Sequence, residues 1–387
     1  MSWEKVKLGD VADSCLGKML DQVKNRGEYE PYLANLNVRW GYFELDNLSQ
    51  MRFESDEQER YGLKYGDLVI CEGGEPGRCA IWKDQIPNMK IQKALHRVRV
   101  HDCLDYRYLY YWFLYAGQTK ALEQYFTGAT IKHMPGDKLK SICIDFPPKE
   151  EQQRISEILW PIDSLIENNQ KQIKLLEEAA QRLYKEWFVD LRFPGYETTP
   201  IVDGIPEGWH EGTIQDVVIY HDKKRKPLSG MQRAEMQGEY RYYGAASILD
   251  YVNDYLFDGT YLLLGEDGTV VTEDGFPVLQ YVTGKFWVNN HAHVLTGQPG
   301  YPTEYLYMMF KSTKVKDVVT GAAQPKISQA RLSNKKIIVP SKQLVSAYCD
   351  ITGPMFKDII NLEHQITVLK EARDRLLPKL MSGEIEV

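Results

Sequence analysis

Apolar residues recur along residues 153–191 with the alternating spacing of four and three that is typical of a coiled-coil helix. The positions of this seam are Ile162, Ile166, Asn169, Ile173, Leu176, Ala180, Leu183 and Trp187. The same spacing returns 193 positions later, at Met355, Ile359, Leu362, Ile366, Leu369, Arg373, Leu376 and Leu380. The sequence therefore predicts two long helices that pack through matched seams.

The repeat is wider than the two helices. The offset of 193 also pairs the TGA run at 127–129 with the TGA run at 320–322, and Pro147 with Pro340. At the start of each copy, an offset of 206 pairs Trp3 with Trp209. Shared heptad chemistry would explain two similar helices, but it does not demand these matches outside them. The pattern therefore indicates an internal duplication.

The duplication predicts an α+β fold in which two similar mixed α/β domains are joined by two long antiparallel helices forming a coiled coil. The expected boundaries are a first domain at 1–148, a first helix at 149–192, a second domain at 193–341 that begins with a linker at 193–208, and a second helix with a short tail at 342–387. Two copies on antiparallel helices are expected to be related by a pseudo-twofold axis. The aromatic-rich segment 106–126 has helical length, and its rings are expected to be core.

Composition narrows the classes of protein. The chain has 387 residues, 43% of them apolar, and no run reaches the about 18 apolar residues of a membrane span. Its first residues lack the apolar core of a signal peptide. We therefore expect a cytoplasmic protein that contacts no membrane. Six cysteines without Cys-x-x-Cys spacing argue against a zinc ribbon. The net charge of −7 argues against a uniformly basic nucleic-acid binder, so any phosphate contact must come from local clusters.

Two loops are candidates for contact with a phosphate backbone. TGATIKH (127–133) and its copy TGAAQPK (320–326) combine small residues, which permit close backbone approach, with nearby cations. An ordinary turn entering a strand explains them equally well. The candidate contacts in these loops are Thr130, Lys132, His133, Gln324 and Lys326.

Other candidates are weaker. The one compact basic run consists of Lys223, Lys224, Arg225 and Lys226; such runs are usually solvated, although phosphate is the common reason for four adjacent cations in an acidic chain. The loop EGGEPGR (72–78) lacks the Gly-Lys-Ser/Thr ending of a phosphate-binding loop, which favours a plain turn, and Arg78 at its end is retained as a candidate DNA contact. His291 and His293 have the spacing of metal ligands on a strand, but with no third ligand evident a structural role is favoured.

The chain resembles the specificity subunits of type I restriction-modification systems. The resemblance rests on TGAT at 127–130, FPPKEEQ at 146–152, WFVDLRFPG at 187–195, GIPEGW at 204–209 and RLLPKLMSGEI at 375–385, and it covers the whole chain. One departure is the sequence PSKQL at 340–344, which lacks the Glu-Gln that follows the first helix start.

This resemblance implies that each domain reads one half of a split, asymmetric sequence in double-stranded DNA. It also implies that the helices act as a spacer and dock two methyltransferase subunits, with restriction subunits in the full complex. No catalytic residue, metal or cofactor is expected in this chain, because no Gly-x-Gly cofactor loop precedes the methyltransferase-like stretch at 145–148; S-adenosylmethionine is expected in the partner subunit. The alternative is a coiled-coil adaptor whose globular domains bind proteins.

Overall fold

The computed structural model describes residues 3–21, 25–46, 48–321 and 324–387, which form two compact units. Unit 1 combines Met1–Asn169 with Gln365–Val387, and unit 2 is Gln170–His364. The long helices are therefore shared, because each unit contains one domain together with part of each helix. The expected boundaries at 148 and 341 fall where the helices begin, not where the compact units divide.

The first domain contains eleven strands and four short helices within its described residues, and the first long helix follows. The strands are β1 (Glu4–Lys7), β2 (Ala12–Leu16), β3 (Glu28–Leu33), β4 (Val38–Arg39), β5 (Tyr42–Phe43), β6 (Gln50–Phe53), β7 (Leu68–Cys71), β8 (Cys79–Ile81), β9 (Lys90–Ile91), β10 (Leu95–Val100) and β11 (Cys143–Phe146). The helices are α1 (Leu8–Val11), α2 (Glu57–Tyr61), α3 (Tyr106–Gln118), α4 (Gly136–Lys140) and α5 (Lys149–Tyr184).

The second domain contains twelve strands and three helices within its described residues, and the second long helix follows. The strands are β12 (Ile201–Val202), β13 (Ile205–Pro206), β14 (His210–Thr213), β15 (Val218–Tyr220), β16 (Gln237–Tyr243), β17 (Ile248–Val252), β18 (Phe257–Gly265), β19 (Leu279–Val288), β20 (Ala292–Gly297), β21 (Val319–Thr320), β22 (Lys326–Ile327) and β23 (Lys336–Val339). The helices are α6 (Gly230–Glu235), α7 (Thr303–Ser312), α8 (Gln329–Ser333) and α9 (Lys342–Met381).

The two domains share one sheet order. The first domain has the antiparallel sheet β2-β10-β7-β8, and the second has β15-β20-β18-β19 with β16 and β17 added at the β19 edge. A separate ribbon closes each domain with the same register: β1 pairs with β11 from Glu4 to Phe146, and β14 pairs with β23 from His210 to Val339. Both offsets, 206 and 193, are the ones found in the sequence, so the duplication is confirmed at the level of strand register.

Each core lies between this sheet and a helix rich in aromatic residues. In α3 the side chains of Tyr108, Tyr111 and Phe113 are fully buried. The expectation that these rings are core is therefore confirmed, and they are not available for stacking on bases. The Asp105 carboxylate caps α3 by accepting hydrogen bonds from the first-turn backbone N–H groups, which fixes where this helix begins.

Within each unit the segments of α5 and α9 run antiparallel. In unit 1, Asn169 donates a hydrogen bond to Gln365 (3.1 Å), while Asp163, six residues earlier, pairs with Arg373, eight residues later (2.8 Å). Every seam position named from the sequence is buried or half-buried. No helix in the described part of the chain is long and apolar enough to cross a membrane.

The first long helix ends earlier than expected. After Tyr184 the chain forms one π-helical turn, Lys185–Val189, in which the backbone N–H of Asp190 donates to the carbonyl of Lys185. Leu191 then adopts a left-handed conformation (φ 57°), which α-helices do not continue through. Counted with the π turn, the helical segment therefore ends at Val189, three residues before the expected end at residue 192.

Candidate nucleic-acid interface

The TGA loop of the first domain is a short hairpin. Backbone hydrogen bonds of 2.8 Å join Thr127 and His133 in both directions. Gly128 is left-handed (φ 91°), and a Cβ there would overlap the carbonyl oxygen of Ile131, so glycine is required. The hairpin consequently presents Ala129 to Lys132 as exposed residues, among them the candidate Thr130.

The second domain builds the same hairpin. Thr320 pairs with Lys326 in β21 and β22, and Gly321 is again left-handed (φ 82°), with the carbonyl oxygen of Gln324 in the path of any Cβ. Ala322 and Ala323, which complete the repeated motif, lie outside the described residues. Gln324 and Lys326 are exposed. The turn and the contact interpretations of these loops are thus compatible, since an ordered turn exposes the candidate side chains.

Each hairpin is hydrogen-bonded to the loop after an inner strand of the sheet, β7 in the first domain and β18 in the second. In the first domain Met134 donates its backbone N–H to Glu72 (2.8 Å), and His96 Nε2 lies 2.9 Å from the Met134 carbonyl. In the second domain Ile327 donates to Glu266 (2.9 Å), and His293 Nε2 lies 2.8 Å from the Ile327 carbonyl. His293 therefore has the structural role expected for it, while His291 is half exposed.

A groove of about 560 Å³ runs beside the first hairpin. It lies between the hairpin, the Gly-rich loop and the start of β5, and its lining includes Trp40, Glu75, Pro76, Lys120, Leu122, Phe126, Thr130, Ile131 and Lys132. The indole N–H of Trp40 donates to Glu75 Oε1 (2.7 Å), which fixes the ring in the groove wall. The first domain therefore offers a concave surface with aromatic walls and charged side chains at its rim.

The cations of the first domain differ in availability. Arg78 donates to Glu75 (2.8 Å) and to the carbonyl of Asn35 (2.9 Å), and its side chain is only 16% exposed. It holds the Gly-rich loop in shape and is not free to meet a phosphate. Lys132 is exposed and only loosely paired with Glu123, at 3.8 Å, so its charge is available.

The four cations of the basic run in the second domain also differ in exposure. Lys223, Lys224 and Lys226 are exposed. Arg225 turns inward: its side chain is 13% exposed, and Nη1 donates to Glu266 Oε2 (2.7 Å) and to the carbonyl of Ala292 (2.8 Å). The run therefore presents three cations to solvent, not four.

Asp222, Glu266 and His293 bring ligand atoms within 4.8 Å of one another, a set that can hold a metal ion. The same carboxylates, however, already pair with cations: Arg225 lies 2.7 Å and Lys326 3.3 Å from Glu266. Burial alone would raise the pKa of Asp222, but the hydrogen bond and charge of His293 bring it below its usual value. This arrangement is a compensated charge network and is better suited to fixing loops than to binding a cation.

Sequence reasoning did not single out Asp222 and Glu266 for this role. One signal was present, because Glu72 and Glu266 follow the equivalent strand ends β7 and β18. The i, i+3 spacing of Asp222 and Arg225 was a second signal. Their significance depends on His293 and Lys326, which lie far away in the sequence.

Taken together, the structure contains two copies of one α/β domain, each with an exposed glycine-dependent hairpin and nearby cations, joined by paired helices. These features define a two-domain nucleic-acid recognition protein. The family model described as type I restriction modification DNA specificity domain matches residues 1–178 and 206–367. The chain therefore belongs to this family and is a DNA-sequence-recognition subunit, and the adaptor interpretation is not favoured.

Individual relatives agree. The type I restriction enzyme MjaIX specificity subunit of Methanocaldococcus jannaschii is 29% identical over 348 residues, which cover 83% of this chain and 78% of that protein. The type I restriction enzyme HindI specificity subunit of Haemophilus influenzae is 20% identical, with 99% of each chain covered. The crystal structure of the type I restriction-modification system S subunit from M. genitalium has the same fold, with a TM-score of 0.54 at 18% identity over 98% of this chain and 96% of that one.

Proposed function

We propose that each domain reads one half of a bipartite and asymmetric target in double-stranded DNA. The observation that carries the proposal is the glycine-dependent hairpin, which is built twice on the same strand register. The two hairpins keep their backbone but differ in side chains, TGATIKH against TGAAQPK. One scaffold with different exposed groups is suited to two different half-sites.

The exposed residues divide by chemistry. Lys132, Lys223, Lys224 and Lys226 are suited to phosphates, whose contacts position a protein on DNA. Thr130, His133 and Gln324 carry hydrogen-bonding side chains, and a glutamine amide can pair with the major-groove edge of adenine. Arg78 and Arg225 support the loops and contact no DNA in this proposal.

The chain is proposed to work within a larger complex. We infer that the paired helices dock two methyltransferase subunits, and restriction subunits through them, in the cytoplasm. The net charge of −7 supports this division, because acidic surface that repels DNA is available for protein partners. Catalysis and S-adenosylmethionine binding then belong to the methyltransferase subunits.

The test is a selection from randomised duplexes with the purified full-length chain, with the affinity of the selected duplex then measured across salt concentrations. Two separate half-sites of different sequence at one fixed spacing, with affinity falling steeply as salt rises, are expected. A single contiguous motif would overturn the bipartite arrangement. Binding that does not respond to salt would favour a protein-binding role. Methyl transfer by the isolated chain would overturn the assignment of catalysis to a partner.

A further inference from the structure

In the second domain one half-buried carboxylate, that of Glu266, joins the two loops that are candidates for DNA contact. Glu266 Oε2 accepts a hydrogen bond from Arg225 in the basic run, and its Oε1 lies 3.3 Å from the ammonium group of Lys326 at the base of the hairpin. The side chain of Glu266 is only 14% exposed. Both loops are therefore tied to one carboxylate, and Lys326 also pairs with Asp267 (3.2 Å).

His293 makes a second connection between the same loops. Its Nδ1 lies 2.6 Å from Asp222 at the start of the basic run, and its Nε2 lies 2.8 Å from the Ile327 carbonyl in the hairpin. Both partners are hydrogen-bond acceptors, so the ring connects a side chain beside the basic run to the backbone of the hairpin. Nδ1 also lies 3.6 Å from Glu266, so His293, Asp222 and Glu266 form one cluster.

Among its described residues, the first domain lacks this arrangement. Leu16 lies opposite His96 in the β2–β10 register, and the offset of 206 between the two copies pairs Leu16 with Asp222. Burial lowers the pKa of His96, which keeps that ring neutral. The first hairpin is thus joined to its sheet by a neutral histidine, whereas the second is joined by a charged network that also includes a basic loop.

We propose that Glu266, together with Asp222 and His293, is a positioning group that holds the Lys223–Lys226 loop and the second hairpin together as one phosphate-binding surface. The inference rests on the proposed DNA-binding function. Arg225 is the anchor of the loop, and the exposed Lys223, Lys224 and Lys226 are the groups that meet phosphate. The network contributes to DNA affinity although its own members contact no DNA.

The direction in which one substitution changes DNA affinity separates this positioning role from simple electrostatics. Glu266 is a negative charge beneath a surface that binds phosphates, and Glu266→Gln removes it. If charge alone mattered, the variant would bind DNA more tightly, because a repulsive group is lost and Arg225 and Lys326 keep only Asp222 and Asp267 as their anionic partners. If Glu266 positions the two loops, the variant binds more weakly, because the lysines no longer share one ordered surface.

The experiment compares the full-length wild-type chain, Glu266→Gln, Glu266→Asp and Glu273→Gln on a random-sequence duplex of about 30 base pairs. Glu273 is exposed in the same domain, so its variant is the control for loss of one negative charge. The salt slope is the steepness with which the logarithm of the DNA-binding constant falls with the logarithm of salt concentration. We expect Glu266→Gln to reduce this slope by about 2, which corresponds to the loss of two or more phosphate contacts at ~0.9 each. Glu266→Asp is expected to recover part of this loss, and Glu273→Gln is expected to bind as wild type or slightly more tightly.

Arg225→Lys is the second variant, for the case in which Glu266→Gln loses its fold by circular dichroism. Lysine keeps the charge but cannot reach Glu266 and the Ala292 carbonyl together. Weaker binding at unchanged net charge supports positioning, whereas wild-type binding by a folded Arg225→Lys overturns it. Wild-type or tighter binding by a folded Glu266→Gln also overturns it. If the wild-type chain itself shows no salt-dependent binding, the proposed DNA-binding function fails instead.

Discussion

The ion pair between Asp163 and Arg373 gives the sharpest test of how the coiled coil is specified. Arg373 occupies a seam position, with its side chain 13% exposed, and its guanidinium lies 2.8 Å from the Asp163 carboxylate. Asp163 also accepts a hydrogen bond from the Tyr111 hydroxyl (2.9 Å). Burial opposes the charge on Arg373, but the neighbouring Asp163 raises the pKa of the guanidinium above its usual value.

Replacing Arg373 with alanine leaves the Asp163 carboxylate without its cation. Removing one partner of a buried ion pair lowers the free energy of unfolding by about 3–5 kcal/mol. We expect the lower end, about 3 kcal/mol, because Tyr111 still donates to Asp163 and that carboxylate is 18% exposed. At 1.4 kcal/mol per factor of ten, hydrogen exchange through local opening should accelerate by about 100-fold.

Because the chain is duplicated, unit 2 shows which residues can replace the ion pair of unit 1. At the positions equivalent to Asp163, Arg373 and Tyr111, unit 2 has three apolar residues, Phe356, Ala180 and Met308, all of them buried. The triple variant Asp163→Phe, Arg373→Ala and Tyr111→Met transfers this set into unit 1. Because apolar groups of similar volume often replace a buried ion pair without loss, the triple variant should regain most of the stability lost by Arg373→Ala.

The assay is hydrogen exchange followed by mass spectrometry on peptides from 149–169 and 365–381, with peptides from unit 2 as the internal reference. Faster exchange confined to unit 1 in Arg373→Ala, and near wild-type exchange in the triple variant, are expected. Unchanged exchange in the single variant would refute the assignment of a stabilising role to the pair. A triple variant less stable than the single variant would show that the two seams are not interchangeable.

Three further predictions concern the hairpins and the basic loop. Gly128→Ala should destabilise the first hairpin by about 1–3 kcal/mol, because a left-handed backbone becomes strained and the new Cβ meets the Ile131 carbonyl; faster amide exchange at His133 measures this, and wild-type exchange would contradict it. Neutralising Lys223, Lys224 and Lys226 together should lower the salt slope of DNA binding by about 0.9 for each phosphate contact and leave the selected motif unchanged; an altered motif would mean that these lysines read bases. Because the pKa of His96 is lowered in the folded protein, the unfolded chain binds the proton more readily, so the contribution of His96 to stability is present above about pH 6.5 and is lost as pH falls further. A His96→Gln variant should therefore lose this part of the acid sensitivity in thermal melts of the full chain. An unchanged pH profile would contradict this prediction.

The sequence by itself determined the duplication, the two long helices and the fold class. Heptad spacing and fixed offsets are regular patterns along the chain, and they demand the same backbone wherever they occur. The same patterns predicted the seam residues from Ile162 to Leu380 and the repeated TGA loops. The end of the first helix was missed by three residues, because the π turn at Lys185–Val189 depends on how Trp187 packs into its unit.

Only the tertiary structure decided which candidate charges are available. Arg225 and Lys224 are adjacent in one basic run, yet the first is half-buried and paired with Glu266 while the second is exposed. Arg373 stands in an apolar seam because its partner Asp163 lies 210 residues away in the chain. Pairings of this kind depend on side chains brought together by folding, and no local spacing encodes them. Periodicity therefore fixed the scaffold, while long-range burial and charge compensation fixed the surface it presents.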